Sequence, residues 1–236
     1  MAPTPLRNKL EAALEGKTSS AYREELLIGE KKKSRRPYLI AKRAMDLVGA
    51  GLGLILISPL LLVIAVMIKL ENIKAPVFFY QVRVGRGEAP FRMYKFRSMV
   101  PDAEKLLEKL LDQNEVEGAM FKMKEDPRIT KVGKFIRKTS IDELPQLWNV
   151  IRGDMSLVGP RPPLPREVEE YSSRDKKRLR VIPGCTGLWQ VSGRNNLSFK
   201  EMVDLDLKYI QKRTIWMDIK IIFKTVSVMI KSKDGV

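Results

Sequence analysis

The chain has 236 residues, room for one ordinary domain and a short arm, and its 44 Lys and Arg against 28 Asp and Glu give a formal charge of +16. With no histidine, any acid, base or metal chemistry falls to carboxylates, Lys, Arg, Tyr, Ser or Thr. The single cysteine, Cys185, excludes an intrachain disulfide and a multi-cysteine zinc site, and the charge favours anionic partners such as nucleic acid, acidic lipid or phosphorylated substrates.

Residues 1–37 read as a basic N-terminal arm. Met1 to Lys17 lacks the apolar core of a signal peptide. The arm ends in Lys31-Lys32-Lys33-Ser34-Arg35-Arg36, either a solvated tail or a contact for anionic membrane lipids. Leu47 to Ile68 follows, 22 residues without a charge. At ~1.5 Å per residue this reaches about 33 Å, close to the ~30 Å hydrocarbon thickness, so the segment at about 39–70 is predicted to insert in a membrane. Ser58-Pro59 sits mid-run. Proline removes one helical hydrogen bond and would orphan the Ile55 carbonyl, for which the Ser58 hydroxyl is the nearest partner. Basic residues flank both ends, Lys42 and Arg43 before and Lys69, Lys74, Arg83 and Arg86 after. The positive-inside tendency pulls both ends to one side, which predicts a re-entrant helix broken at Ser58-Pro59. A kinked single span is the alternative.

From about residue 75 to 236 the pattern is that of a mixed α+β domain, largely helical with a small β-hairpin. Val77 to Val84 and Phe91 to Met99, joined across Gly85-Arg86-Gly87, predict the hairpin. Lys95 and Arg97 would share one of its faces. Helical spacing covers Asp102 to Leu111, Leu144 to Ile151 (buried) and Val168 to Leu179 (charged). Lys122 to Val132 and Met155 to Pro165 read as loops, and Val181 to Arg194 as glycine-punctuated loop or short strand. Ser198-x-x-Glu201 is a capping box that opens a helix over Ser198 to Arg213. Trp216 to Ile230 is amphipathic. It either covers the core or lies in a membrane interface with Trp216 as anchor.

Asp142-Glu143 is the most informative pair. Two adjacent carboxylates suit a divalent metal, and one suits a nucleophile. The same letters, Ser140-x-x-Glu143, also spell a capping box at a helix start, so the pattern alone leaves both readings open. Gly159-Pro160-Arg161-Pro162 sets an arginine on a stiff loop, a fork for phosphate or a planar group. Ser192-Gly193-Arg194-Asn195 places another ahead of a helix. Asp204-x-Asp206 spells an acid pair, but a spacing of two puts its members on different helix faces.

In order along the chain, these segments resemble the monotopic phosphoglycosyl transferases, the bacterial sugar transferases that act as polyprenyl-phosphate hexose-1-phosphate transferases. The resemblance spans about Tyr38 to Lys231. It rests on Lys42-Arg43-x-x-Asp46, the apolar run with Ser58-Pro59, Lys95-Phe96-Arg97-Ser98-Met99, Asp126-Pro127-Arg128-Ile129-Thr130, and Thr139-Ser140-Ile141-Asp142-Glu143-Leu144-Pro145-Gln146. Gly153 to Pro162, Pro183-Gly184-Cys185-Thr186-Gly187 and Gly193-Arg194-Asn195 complete it. Cys185 departs from the usual aliphatic residue, and the arm lies outside the minimal family domain.

The resemblance implies transfer of a sugar 1-phosphate from a UDP-sugar to polyprenyl phosphate, with UMP released and a covalent intermediate on Asp142. It implies Glu143 as ligand of Mg²⁺, Arg137 and Arg194 on phosphate with Lys95 in support, Pro160, Arg161 and Pro162 near the uridine, and Asp206 assisting singly. It further implies the cytoplasmic face of the bacterial inner membrane, a step in polysaccharide or glycoconjugate assembly, and a homo-oligomer as one allowed state. Three rivals compete. A conventional UDP-sugar glycosyltransferase would need a nucleotide-binding α/β sheet that the pattern lacks. A nucleic-acid binder would leave the apolar run unexplained, and no recognition motif points to nucleic acid. A purely structural membrane anchor would leave the arginine-bearing loops without a purpose.

Overall fold

The computed structural model describes residues 36–108, 123, 126–193 and 197–231. Most of the arm, Lys109 to Lys122 and Arg194 lie outside them.

Helix α1, Arg36–Glu71, is the spine of the fold. It runs helically through Ser58 and Pro59, so the expected break is not an interruption of the helix. The physical reason lies in the residue before the proline: Ser58 Oγ donates to the Ile55 carbonyl at 2.8 Å, meeting the acceptor that Pro59 abandons. Its buried residues, Asp46, Ala50, Ile64 and Ile68, cluster towards the two ends, and none lies between Gly51 and Val63. Length and composition suffice to cross a membrane.

Both ends of α1 grip the same folded body. Near its start, Ala50 packs in a core with Phe91, Met93, Val150 and Met155. A Cβ on Gly49 would stand 2.7 Å from Leu157 Cδ1, so α1 passes close to β3 here and a larger residue would push the Leu157 side chain aside. Near its end, Ile64 and Ile68 pack with Phe96 and Ile136. The charges at the two ends are also used. Arg43 donates to the Val150 and Ile151 carbonyls at 2.6 and 2.8 Å, in the last turn of α4, Gln146–Arg152. Glu71 accepts from the Lys131 and Val132 amides at 2.8 and 3.3 Å, the first turn of α3, Lys131–Lys138. A cation at a helix C-terminus and an anion at an N-terminus each follow the sign of the helix dipole, worth about 0.3–1 kcal/mol apiece.

The hairpin forms as predicted, with β1, Phe78–Val84, antiparallel to β2, Pro90–Phe96. Arg97 falls just past β2, yet its side chain reaches Phe79, the cross-strand partner of Lys95, and so lies on the Lys95 face as expected. Its Nε donates to the Pro76 carbonyl, and its guanidinium lies over the Phe79 ring. The free edge of β2 is satisfied by one side chain. Asn149 of α4 accepts from the Tyr94 amide at 3.0 Å and donates to the Arg92 carbonyl at 2.7 Å.

The stretch read as loop from Met155 holds β3, Ser156–Val158, parallel to β4, Gly184–Thr186. Helix α2 covers Ala103–Glu108. The expected helix over 168–179 divides into α5, Pro165–Glu169, and a 3₁₀ segment, Asp175–Arg180. Asp175 accepts from the Ser172 amide and hydroxyl, which offers the backbone an alternative to a helical bond. Helix α6, Phe199–Lys212, opens on the Ser198–Glu201 capping box as read. Helix α7, Ile215–Lys231, closes the described chain. Its fully buried Asp218 accepts from Tyr38, Lys42 and Tyr209, tying α6, α7 and α1 together.

Candidate active site

Asp142 and Glu143 occupy a 3₁₀ turn, Ile141–Glu143, between α3 and α4. These are the two helices that the opposite ends of α1 hold. The capping-box reading fails here: Ser140 is in the left-handed region at φ 55° and its side chain caps nothing. The turn is built to present carboxylates, not to start a helix.

Four cations surround the pair. Lys95 of β2 donates to Glu143 Oε1 at 2.7 Å. Arg137, in the last turn of α3, acts electrostatically on Asp142. Arg161 and Arg83 act on Glu143. Burial pushes the Asp142 carboxyl up to about 6. Lys95 and Arg137 pull it down, and the Glu143 charge pushes the same way as burial. Burial would raise Glu143 too, but Lys95, then Arg161 and Arg83, outweigh it and hold that carboxyl below its ordinary value. Two adjacent acids are thus pulled in opposite directions, the arrangement that separates roles at a reaction centre.

The loop after β3 is clamped from both sides. Gly159 donates to the Thr186 carbonyl at 2.8 Å and Gly184 to the Pro160 carbonyl at 2.9 Å. A Cβ on Gly184 would lie 2.0 Å from the Gly159 nitrogen. Arg83 donates to the Pro162 carbonyl at 3.1 Å, and the Val84 amide to that of Pro163 at 2.9 Å. Pro160 and Pro162 are buried, while Arg161 is half-exposed beside the carboxylates. Upstream, Asp46 of α1 accepts from Ser156 Oγ and the Leu157 amide, both at 3.0 Å, so the membrane-type helix fixes the strand that aims this loop.

The model of one protein family, described as bacterial sugar transferase, matches residues 37–232. The chain belongs to that family. This sugar transferase is 53% identical over 194 residues to a galactosyl transferase, CpsE, of Streptococcus agalactiae, covering 82% of this chain and 43% of the relative. It is 45% identical over 206 residues to an undecaprenyl-phosphate galactose phosphotransferase of Salmonella typhimurium, covering 86% and 43%. To the exopolysaccharide production protein ExoY of Rhizobium meliloti it is 41% identical over 198 residues, covering 82% and 87%. The chain therefore spans less than half the length of the first two relatives and nearly all of the third.

Of the residues singled out in the sequence, the sugar transferase brings Asp142, Glu143, Lys95, Arg137 and the Pro160–Pro162 loop together. Asp206 stands apart from this group. It is fully buried on α6 and ion-paired with Arg178, while Asp204 pairs with Arg174 at the surface. Burial opposes the Arg178 charge, but Asp206 and then Tyr171 more than restore it and raise its pKa. Arg194 lies outside the described residues. Arg83 was noted only as flanking charge. The signal for its role is a basic residue set between Val82 and Val84 at the buried end of a strand. Burial, then Arg161, lowers its pKa to about 10, with Glu143 and Glu167 opposing.

Mg²⁺ asks for oxygen ligands and commonly takes one or two carboxylates, with substrate phosphates and water completing its shell. Among the described residues no group of three or more potential ligands exists. The Asp142-Glu143 pair meets that smaller requirement, with Glu143 shared with Lys95.

Proposed function

We propose that this sugar transferase moves a sugar 1-phosphate from a UDP-sugar to undecaprenyl or another polyprenyl phosphate in two steps. The observation that carries the reading is the buried Asp142 carboxyl, poised beside Glu143 inside a ring of Lys95, Arg83, Arg137 and Arg161. In the first step Asp142 attacks the β-phosphorus of the donor. The bond to the α-phosphate's bridging oxygen breaks and UMP leaves. In the second, a phosphate oxygen of the polyprenyl carrier attacks the same phosphorus, forms the lipid diphosphate sugar and frees Asp142. Lys95, Arg137 and Arg161 neutralise the diphosphate and hold it in line, and Arg83 braces the Pro160–Pro162 loop against the uridine. Glu143 would hold Mg²⁺, which when bound supplies charge neutralisation on the leaving phosphate. The names of the relatives, a galactose phosphotransferase on undecaprenyl phosphate among them, support the substrate class.

The site belongs at a membrane surface, on the cytoplasmic face of the inner membrane. The support is that α1 is bound at both ends to one body while Gly51 to Val63 has no buried residue. An ordinary span would carry its two ends to opposite compartments, whereas a helix that bends at Ser58-Pro59 without losing its helical continuity would dip and return, keeping them together. Cysteine labelling of Ser34→Cys and Lys74→Cys in intact cells tests this; shielding of only one from an impermeant reagent rejects it.

Incubating the purified protein with Mg²⁺, undecaprenyl phosphate and UDP-sugars tests the reaction. UMP is expected from one donor and none with Asp142→Asn. UDP as the product would instead identify a glycosyltransferase and reject the two-step path.

A further inference from the structure

Three arginines are buried among the described residues, Arg83, Arg128 and Arg178. Two of them are paired with a carboxylate, Arg128 with Asp126 at 2.6 Å and Arg178 with Asp206. Arg83, 5% exposed, is held differently. Its Nε and Nη2 donate to Gln81 Oε1 at 3.1 and 2.7 Å, and its Nη1 donates to the Pro162 carbonyl at 3.1 Å. Both acceptors are neutral. The two carboxylates whose charge reaches it are engaged elsewhere, Glu143 with Lys95 and Glu167 with the Leu164 amide at 2.9 Å. A guanidinium buried without a matched counter-charge weakens a fold, because nothing fully offsets its lost hydration.

Gln81 and Arg83 are two apart on β1, so they share a face of the hairpin. Phe79, on that face too, stands opposite Lys95, so the same side carries the ammonium that meets Glu143. The unmatched charge of Arg83 is therefore beside the carboxylate turn, and it acts on Glu143. The residue at position 81 decides whether that charge stays unmatched. A guanidinium has only N–H donors, so its partner must present an acceptor. A glutamate would present one on a side chain of the same length, in bidentate geometry, and would cancel the charge. Glutamine presents the oxygen and leaves the charge intact.

We propose that Gln81 is a positioning residue for the donor: it fixes the Arg83 fork with a neutral oxygen and so keeps a buried positive charge available to the diphosphate of a UDP-sugar. This rests on the reading of the site given above and extends it to a residue that acts only through another. The protein without nucleotide sits below its attainable stability at this spot, and the bound anion brings the missing counter-charge.

Gln81→Glu in the full chain, in detergent with Mg²⁺, separates this from simple support of the Pro160–Pro162 loop. A carboxylate holds the fork at least as firmly as the amide does, so loop support is kept while the charge is cancelled. The variant is expected to melt at or above the wild-type temperature and, in calorimetric titrations, to bind UDP about tenfold more weakly. Unchanged UDP affinity would reduce Gln81 to a loop support and overturn the proposal. A melting temperature several degrees lower would mean that Arg83 is already matched in the protein without nucleotide, and overturns it too. Both of those outcomes leave the donor reading standing. Wild-type protein that melts cooperatively yet takes up no UDP rejects the donor reading itself, and the proposal with it. Neither readout depends on turnover.

Discussion

Asn149→Ala removes one side chain and strands two backbone groups. Asn149 is fully buried and bridges the outer edge of β2, accepting from Tyr94 and donating to Arg92. The hairpin has only two strands, so no other strand can take over that edge. Each buried group left unpaired costs about 1–3 kcal/mol, which puts the loss at about 3 kcal/mol even if water reaches one of them. A domain of this size loses about 2–4 °C per kcal/mol, so the melting temperature in one detergent should fall by about 6–12 °C. Asn149→Asp should be no better, because its second oxygen would face the Arg92 carbonyl without a proton. Lys95 follows Tyr94 directly on β2, so UMP release should also fall as the ammonium drifts from Glu143. Thermal scans of the three proteins with parallel turnover assays decide it. A shift under a degree or two for the alanine variant would refute the account of the β2 edge.

Further outcomes follow from the same geometry. The proposed attack by Asp142 needs its carboxylate deprotonated, so kcat/KM should fall as pH drops through about 6. Lys95 opposes protonation of Asp142, so Lys95→Met should move that limb upward, and a limb near 4 in both proteins would contradict the site electrostatics. Gly184→Ala forces a Cβ against backbone 2.0 Å away, with no flexible side chain to yield, so monodisperse protein should not be recovered. Asp218→Ala leaves Lys42, 12% exposed, without its partner, and should cost about 3–5 kcal/mol, read as a lowered denaturation midpoint.

The long apolar helix and the hairpin were legible because each obeys one strong local rule, an uninterrupted apolar run and a paired β-rich stretch across glycines. The carboxylate pair was legible as a pattern, yet its meaning was not. Ser140-x-x-Glu143 spells a cap, and only the left-handed Ser140 shows that no cap forms. Of the cationic ring, Lys95, Arg137 and Arg161 were placed at one site only through the family resemblance and Arg83 not at all, since β1, β2, α3 and the Gly159 loop contribute to it from positions far apart in the chain. The β3–β4 pairing was hidden because three-residue strands set among glycine and proline carry no alternation to detect. Lys42, Arg43 and Asp46 were noted as flanking charge or as letters of a motif, whereas each holds a particular partner across more than a hundred residues.

That last fact bears on how interchangeable the parts of this enzyme are. A membrane helix is often treated as a mooring line, replaceable by any other of equal length. Here Asp46, Ala50, Ile64 and Ile68 are interior residues of the folded body, and Arg43 and Glu71 finish two of its helices. Only the middle stretch, Gly51 to Val63, gives that body no buried residue. The helix is therefore a single segment under two sets of requirements, jigsaw fit at its ends and apolar composition between, and the Asp142-Glu143 turn hangs from both of its fitted ends.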